Sequence, residues 1–183
     1  CFSADPVPDS WTWIDIGNGY GTGTSGLCFH DNYYWAVFSP GASVGDPAPI
    51  VRTDPPMPEL QWLNEMRTGP VGSGDQGYIY GAPFSDRRAA RGTIPQGEPE
   101  FAIKGAFPDP AATLARLLRE RLTSAGITVA HGSRSVHDGS CPTDTILLSV
   151  IDSSPLGAII HKLNKHSQNL YAEAFFKTVG RMA

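Results

Sequence analysis

The sequence lacks the features that mark several common functional classes. No apolar run approaches the roughly 20 residues that a helix needs to cross a bilayer, and no basic segment followed by an apolar one stands at the N-terminus. The 183 residues carry a formal net charge of -4, and their only basic bias is local, between 161 and 177. We therefore expect no transmembrane segment and no nucleic-acid partner, since nucleic-acid binding needs clustered positive charge.

Metal-binding and redox spacings are also missing. The five histidines never form the His-x-x-x-His spacing that puts two ligands on one helix face, and no Cys-x-x-Cys occurs. We expect neither a metal nor an organic cofactor. The odd number of cysteines, Cys1, Cys28 and Cys141, leaves at least one unpaired. Buried free thiols are the favoured interpretation, with a Cys28–Cys141 disulfide as the alternative.

Two sequence signatures identify nucleophilic serines. The stretches GTSG and GSGDQG do not match the Gly-x-Ser-x-Gly elbow of α/β-hydrolases. No serine is followed three residues later by lysine, and the nearest case is Ser85-Asp-Arg-Arg88. Arginine cannot replace that lysine, because its guanidinium stays protonated and cannot accept a proton from serine.

The composition favours an α+β fold with a β-rich body. Twenty glycines and 16 prolines are too many for a helical bundle and predict short strands joined by turns. The stretch 30–38 is predicted to be a strand, and the proline-rich stretch 45–62 can supply only edge strands or extended segments. Three further short strands are predicted within 77–107. The middle portion, 45–107, is predicted to be a small antiparallel β unit.

Helices are predicted mainly in the C-terminal half. The segment 108–126 has Asp109 as N-cap, Pro110 in the first turn, a leucine stripe and Gly126 as its stop. It should form one amphipathic helix that packs on a sheet. Strands are predicted at 126–132 and 144–151. Two more helices follow, one capped at Ser154 and one after Ser167 that ends at Gly180.

The segment SPLGAIIHKLNKHSQNLYAEAFFKTVG, residues 154–180, resembles a known family. It is similar to the second active-site motif of the DacB-type D-alanyl-D-alanine carboxypeptidases/endopeptidases, the class C low-molecular-mass penicillin-binding proteins. There a helix and a His-Ser or Lys-Ser precede x-Asn-Leu/Met-x-Ala-Glu. Residues 10–48, with their Trp-x-Trp-x-Asp, and the segments 91–97, 101–111 and 118–132 also resemble the family in its own order.

The resemblance implies an internal fragment of such an enzyme. Residues 1–150 would be an inserted β-rich region, with the 45–107 unit as a second small subdomain. Residues 151–183 would be the return segment of a catalytic domain of the serine β-lactamase/DD-peptidase type. The family's Ser-x-x-Lys motif is absent. Its Lys-Thr-Gly motif is absent too, because Lys177-Thr-Val-Gly180 has one residue too many and falls in a predicted helix. This chain alone is therefore expected to be inactive.

The resemblance also assigns roles to three residues. Ser167 would relay a proton to the departing amine, and Asn169 would orient the substrate and the lysine. Asp15 would bind the amino group of the diaminopimelate side chain of the stem peptide. Its alternative role is to cap the DIGNGYG turn.

The implied partners are peptidoglycan stem peptides ending in D-Ala-D-Ala and, for the complete parent, β-lactams. The implied location is the bacterial periplasm or another extracytoplasmic compartment. Two alternatives stay open. One is a non-catalytic module that binds cell-wall peptides, such as a lipoprotein domain anchored through Cys1. The other is a pseudoenzyme that acts as a scaffold. Cys1 would otherwise mark a boundary cut within a longer protein.

Overall fold

The computed structural model describes residues 5–137, 146–147 and 149–182. In this part of the chain, seven strands precede three α-helices. The strands are β1 Tyr33–Phe38, β2 Ile50–Asp54, β3 Gln61–Asn64, β4 Arg67–Gly69, β5 Gln76–Tyr80, β6 Arg87–Pro95 and β7 Phe101–Ala106. The helices are α1 Pro110–Ser124, α2 Leu156–His166 and α3 Asn169–Met182.

The first sheet is antiparallel and has the strand order β2-β1-β7. Strand β2 lies at its edge, as the surrounding prolines predicted, because proline cannot donate a hydrogen bond within a sheet. The aromatic strand β1 lies at the centre. Its register places Trp35 opposite Lys104 of β7, so these two side chains come from directly paired positions.

The second sheet is built around β6 and mixes two strand directions. Strand β5 pairs with β6 antiparallel, as the sequence predicted for this region. Strands β3 and β4 pair with β6 in parallel, so the prediction of an antiparallel unit over 45–107 is wrong for these two strands. Both parallel strands are short, and their composition does not reveal direction, because direction depends on how the chain returns to β6.

The hydrophobic core lies between the strands of these two sheets. Its large fully buried side chains come from β1, β5, β6 and the β3–β4 link: Tyr34, Phe38, Met66, Ile79 and Ile94. Gly105 is required beside this core, because a Cβ there would lie 2.4 Å from the Tyr34 ring. We call the region 33–107 the β-sheet body.

Helix α1 confirms the predicted boundaries. The Asp109 carboxylate accepts a hydrogen bond from the Ala112 N–H at 3.0 Å, and Gly126 follows the helix with a φ of +80°. The sheet packing expected of its leucine stripe is weaker than predicted, since Leu118 is exposed. Arg116 instead connects the helix to the segment after β2 by donating to the carbonyl of Pro56.

Several other predictions need correction. The predicted strand at 126–132 is wrong, because these residues form no sheet hydrogen bonds after the turn at the end of α1. The strand predicted at 144–151 lies partly outside the described residues, and the described ones are not in a strand. Helix α2 begins after Pro155 without a side-chain cap from Ser154, and α3 continues past Gly180 to Met182. Within the described residues, every helix is too short or too polar to cross a membrane.

Candidate functional site

A cleft of about 590 Å³ opens between the N-terminal loop, residues 5–29, the β-sheet body and the turn that joins α2 to α3. The three predicted site residues, Asp15, Ser167 and Asn169, all line it. Its remaining walls come from β1, β5 and β7. The fold thus brings together residues that lie near opposite ends of the sequence.

The turn between the two helices presents Ser167 and Asn169 to this cleft. Ser167 ends α2 in the left-handed conformation, with φ 51° and ψ 51°. Asn169 begins α3, and its side-chain amide donates a 3.2 Å hydrogen bond to the Tyr20 carbonyl. Both side chains are exposed. The side-chain nitrogen of Asn169 therefore links the turn to the N-terminal loop. Its Oδ1 accepts no hydrogen bond from the described residues.

Asp15 lies in the N-terminal loop, but it does not cap the turn that follows. That role belongs to buried Asn18, whose amide donates to the Ile14 carbonyl and whose Oδ1 accepts from the Tyr20 N–H. The Oδ2 atom of Asp15 accepts the hydroxyl of Thr12 at 2.8 Å. Its Oδ1 has no hydrogen-bond donor among the described residues, so it can receive one from a ligand.

A polar cluster docks α2 and α3 on the segment just before β1. The Tyr171 hydroxyl donates to Asp31 at 2.8 Å and accepts from the Lys162 ammonium at 2.8 Å. The bond to Tyr171, together with the nearby charge of Asp31, raises the pKa of Lys162. Burial raises the pKa of the Tyr171 hydroxyl, so at neutral pH it stays a hydrogen-bond donor.

Asp31 occupies an unusual backbone segment. It is the middle of three consecutive non-glycine residues, His30, Asp31 and Asn32, with φ values of 53°, 48° and 55°. The left-handed conformation costs about 1–2 kcal/mol per residue. Buried Asn32 holds the segment, because its Oδ1 accepts from the Phe29 N–H and its amide donates to the Gly23 carbonyl at 2.7 Å. Asp31 is thereby presented to Tyr171.

A second group of contacts holds α3 against the N-terminal loop. The Thr24 hydroxyl donates to the Leu170 carbonyl at 3.1 Å. The Lys177 ammonium donates to the carbonyls of Asp5 and Thr24, at 2.6 and 2.8 Å. Burial lowers the pKa of Lys177. As predicted, this lysine lies on a helix rather than on an edge strand, and its contacts are structural.

The sequence did not reveal that two aromatic side chains line the cleft and that a lysine ammonium lies over both rings. The Lys104 ammonium lies 4.4 Å from the centre of the Tyr33 ring and 5.1 Å from that of Trp35, and all three residues line the cleft. These are cation–π distances. The signal was present in the alternation of Tyr33 and Trp35 on one face of β1. What the sequence did not reveal was the register that brings Lys104 beside them.

A second cluster outside the cleft resembles a catalytic triad in composition only. Nε2 of His137 lies 2.8 Å from Oγ of Ser135 and 2.7 Å from Oδ2 of Asp109. A Ser-His-Asp relay needs the two different ring nitrogens of histidine. Burial alone would raise the pKa of Asp109, but hydrogen bonds from Ser135, the Ala112 N–H and His137 hold that pKa below its ordinary value. This cluster fixes the start of α1.

One elbow match escaped the sequence reasoning. Gly41-Ala-Ser-Val-Gly45 has the Gly-x-Ser-x-Gly spacing, yet it forms a turn between β1 and β2 with no helix after it. Ser43 is exposed there, and its N–H donates to the Asp46 carboxylate at 2.8 Å. The nucleophile elbow requires a strand-to-helix turn, so this serine does not have its geometry.

The structure also places two other sequence candidates, Arg88 and Cys28. Arg88, the nearest equivalent of the missing lysine, is buried and donates to the Ser85 carbonyl rather than to its hydroxyl. Burial lowers the pKa of Arg88. Cys28 is exposed, so the prediction of a buried thiol is wrong for it, while Cys1 and Cys141 lie outside the described residues. In the described ranges, no three side chains of His, Cys, Asp or Glu come together as metal ligands.

The chain is similar to two solved structures of one protein. The first is penicillin binding protein 4 (dacB) from Haemophilus influenzae, with a TM-score of 0.70 and 18% identity over 97% of this chain and 38% of that one. The second is the same protein complexed with a novel β-lactam, with a TM-score of 0.56 and 17% identity over 83% of this chain and 34% of that one. At these identities the likeness shows the fold alone. This chain spans well under half of their length.

The family comparison covers every residue. No curated protein matches the sequence, whereas the sequence profile of the D-Ala-D-Ala carboxypeptidase 3 (S13) family matches residues 1–183. This match agrees with the motif order from Trp11 to Gly180 and with the structural likeness to penicillin binding protein 4. On these grounds the chain belongs to the D-Ala-D-Ala carboxypeptidase 3 (S13) family.

Proposed function

We propose that the chain is part of a serine-type D-Ala-D-Ala carboxypeptidase/endopeptidase that acts on peptidoglycan stem peptides in the bacterial periplasm or another extracytoplasmic compartment. The observation that carries this proposal is the convergence of Asp15, Ser167 and Asn169 on one cleft. Motif resemblance alone selected these residues from distant parts of the sequence. Their shared location supports a single substrate-binding function.

In the proposed reaction, a serine oxygen attacks the carbonyl carbon between the two D-alanines while a lysine accepts its proton. The C–N bond breaks, D-alanine leaves as an amine, and water hydrolyses the acyl-enzyme. Ser167 passes a proton toward the departing amine, and Asn169 orients the substrate through its amide. The nucleophile and its lysine are absent from this sequence, so we assign them to another part of the parent polypeptide.

The proposed partners follow from this chemistry. Stem peptides of the diaminopimelate type enter the cleft beside Asp15, whose unoccupied Oδ1 suits an ammonium group. β-Lactams would acylate the parent at the same serine that attacks D-Ala-D-Ala. The β-lactam complex of penicillin binding protein 4 supports this expectation for the parent rather than for the chain alone.

The test uses the parent polypeptide and this chain side by side. The parent should release D-alanine from a stem pentapeptide, and Ser167→Ala should lower kcat by about 10²-fold or more because it removes the proton relay. Ser153→Ala is the matched control, since Ser153 is an exposed serine outside the cleft. An unchanged kcat for Ser167→Ala would contradict the role.

Labelling with a fluorescent penicillin tests the other half of the proposal. The parent should be labelled covalently, and the 183-residue chain should not, because it has no Ser-x-x-Lys. Covalent labelling of a serine in the isolated chain would refute the proposed incompleteness.

The missing nucleophile also favours a second candidate, a module that binds cell-wall peptides without cleaving them. The same assays separate the two functions. A parent polypeptide that binds stem peptides, releases no D-alanine and resists penicillin labelling would be such a module or a pseudoenzyme.

A further inference from the structure

The side-chain amide of Asn169 has two chemically different ends. Its Nδ2 donates hydrogen bonds and its Oδ1 accepts them, so a half-turn of the amide exchanges a donor for an acceptor. In this structure Nδ2 donates to the Tyr20 carbonyl at 3.2 Å. The Tyr20 carbonyl therefore selects one of the two orientations, because in the other orientation its oxygen would face Oδ1, and neither oxygen has a proton to share.

The direction of the Tyr20 carbonyl is set by the turn around it. The peptide group between Tyr20 and Gly21 is planar, so its N–H and its carbonyl point in opposite directions. The Gly21 N–H donates to the backbone carbonyl of Asn18 at 3.1 Å. The Tyr20 N–H donates to Oδ1 of the same asparagine at 2.7 Å. Asn18 thus holds the peptide groups on both sides of Tyr20.

Asn18 is itself anchored to the β-sheet body. It is 8% exposed and forms an antiparallel bridge with Gly105 of β7. Beside this bridge, the Gly19 N–H donates to the Lys104 carbonyl at 3.1 Å. The Nδ2 atom of Asn18 donates to the Ile14 carbonyl at 3.2 Å, which closes the turn from its other end. The turn is therefore held against the sheet by backbone and side-chain bonds together.

We propose that Asn18 is a positioning residue for the cleavage reaction, because it fixes the Tyr20 carbonyl that orients the amide of Asn169. This inference rests on the proposed function and extends it to a residue that acts through another. With one N–H of Nδ2 on Tyr20, Oδ1 of Asn169 is left to accept a hydrogen bond from the lysine of the parent. The second N–H of Nδ2 is left to donate to a carbonyl of the substrate.

A double-mutant cycle in the parent polypeptide tests whether Asn18 acts through Asn169. Asn18→Ala should lower kcat for D-alanine release by about 10-fold or more, because a misplacement of about 1 Å can cost about 100-fold. The same change in an Asn169→Ala background should have no further effect, since the amide that it orients is already gone. An equal loss in the two backgrounds, or an unchanged kcat, would overturn the inference.

The substrate and the control variants separate positioning from general damage. The stem peptide has its side-chain amine acetylated, so that a shift of Asp15 does not enter the rates. Asn18→Ser keeps an oxygen that accepts the Tyr20 N–H, though more weakly than asparagine, and should recover part of kcat. Asn164→Ala removes an exposed asparagine of α2 outside the cleft and should leave kcat unchanged. The unfolding midpoint checks that each variant folds.

Nuclear magnetic resonance on the 183-residue chain tests the contact without any enzyme activity. The Nδ2 protons of Asn169 should show nuclear Overhauser effects to the α protons of Gly21, which flank the Tyr20 carbonyl. Asn18→Ala should abolish these effects, and Asn164→Ala should preserve them. A native chain without them, or an Asn18→Ala chain that keeps them, would contradict the proposed orientation.

The two experiments also distinguish failure of this inference from failure of the proposed function. If the parent releases no D-alanine while Asn18→Ala still abolishes the Overhauser effects, the proposed function fails and the orientation of Asn169 by Asn18 stands. If the parent releases D-alanine and its kcat does not respond to Asn18→Ala, only this inference fails.

Discussion

The β-sheet body and the hairpin formed by α2 and α3, residues 156–182, are stabilised in different ways. The body buries a cluster of large apolar side chains that includes Tyr34 and Phe38. In the hairpin, Leu170 is the one side chain described as buried, at 2% exposure, and it is not part of that cluster. Phe176 is 76% exposed.

The hairpin is instead attached to its surroundings by polar contacts. Tyr171 and Lys162 bind Asp31, Asn169 binds the Tyr20 carbonyl, and Lys177 binds carbonyls of the N-terminal loop. Such bonds are directional, and each contributes only about 0.5–3 kcal/mol, with the higher values for bonds to charged groups. Packing therefore determines whether the body folds, whereas hydrogen bonds determine where the Ser167 turn lies.

The largest effect is expected from Phe38→Ala in the body. Phe38 is fully buried at the centre of the core, and truncating such a ring lowers the free energy of unfolding by about 3–5 kcal/mol. Phe176→Ala is the matched control and should change it by less than about 0.5 kcal/mol. Urea unfolding followed by circular dichroism measures both. Similar losses for the two variants would contradict this difference between the body and the hairpin.

A smaller and more local effect is expected from Leu170→Ala. Removing this side chain should lower the stability of the hairpin by about 2 kcal/mol and leave the body folded. Hydrogen exchange should therefore accelerate in α2 and α3 while the amides of β1 and β7 keep their protection. Equal acceleration in both regions would mean that they unfold as one unit.

The smallest effect is expected from Tyr171→Phe, which removes one hydroxyl from the docking cluster. The loss should be about 1 kcal/mol, since Lys162 lies 3.6 Å from Asp31 and still pairs with it. A double-mutant cycle with Asp31→Asn isolates the coupling between Asp31 and Tyr171. Strictly additive losses would show that this bond does not help to dock the hairpin.

The sequence predicted best those elements whose signals are local. The cap at Asp109 and the stop at Gly126 gave α1 its limits, because both act within one helical turn. The parallel pairing of β3 with β6 was missed, since strand direction is set by distant parts of the chain. No strand forms at 126–132, because alternating apolar residues alone do not provide a neighbouring strand with which to pair.

The candidate site shows the same division. Ser167 and Asn169 were found through a short motif, and the cleft brings them near Asp15. Lys104 was not found, because nothing in its own neighbourhood distinguishes it from a surface lysine. Only the antiparallel register of β1 with β7 places it against Trp35. The catalytic and binding roles assigned to these residues stay predictions until the variants are measured.

The left-handed segment at His30, Asp31 and Asn32 links the two regions thermodynamically. Whatever free energy the hairpin gains by binding Asp31 helps to hold this segment in a conformation that the backbone disfavours. Linkage is reciprocal, so a segment already held by Asn32 must favour hairpin docking to the same extent. The side chain of Asn32 hydrogen-bonds to Phe29 and Gly23 rather than to either helix. A substitution at position 32 is thus expected to shift the Ser167 turn indirectly.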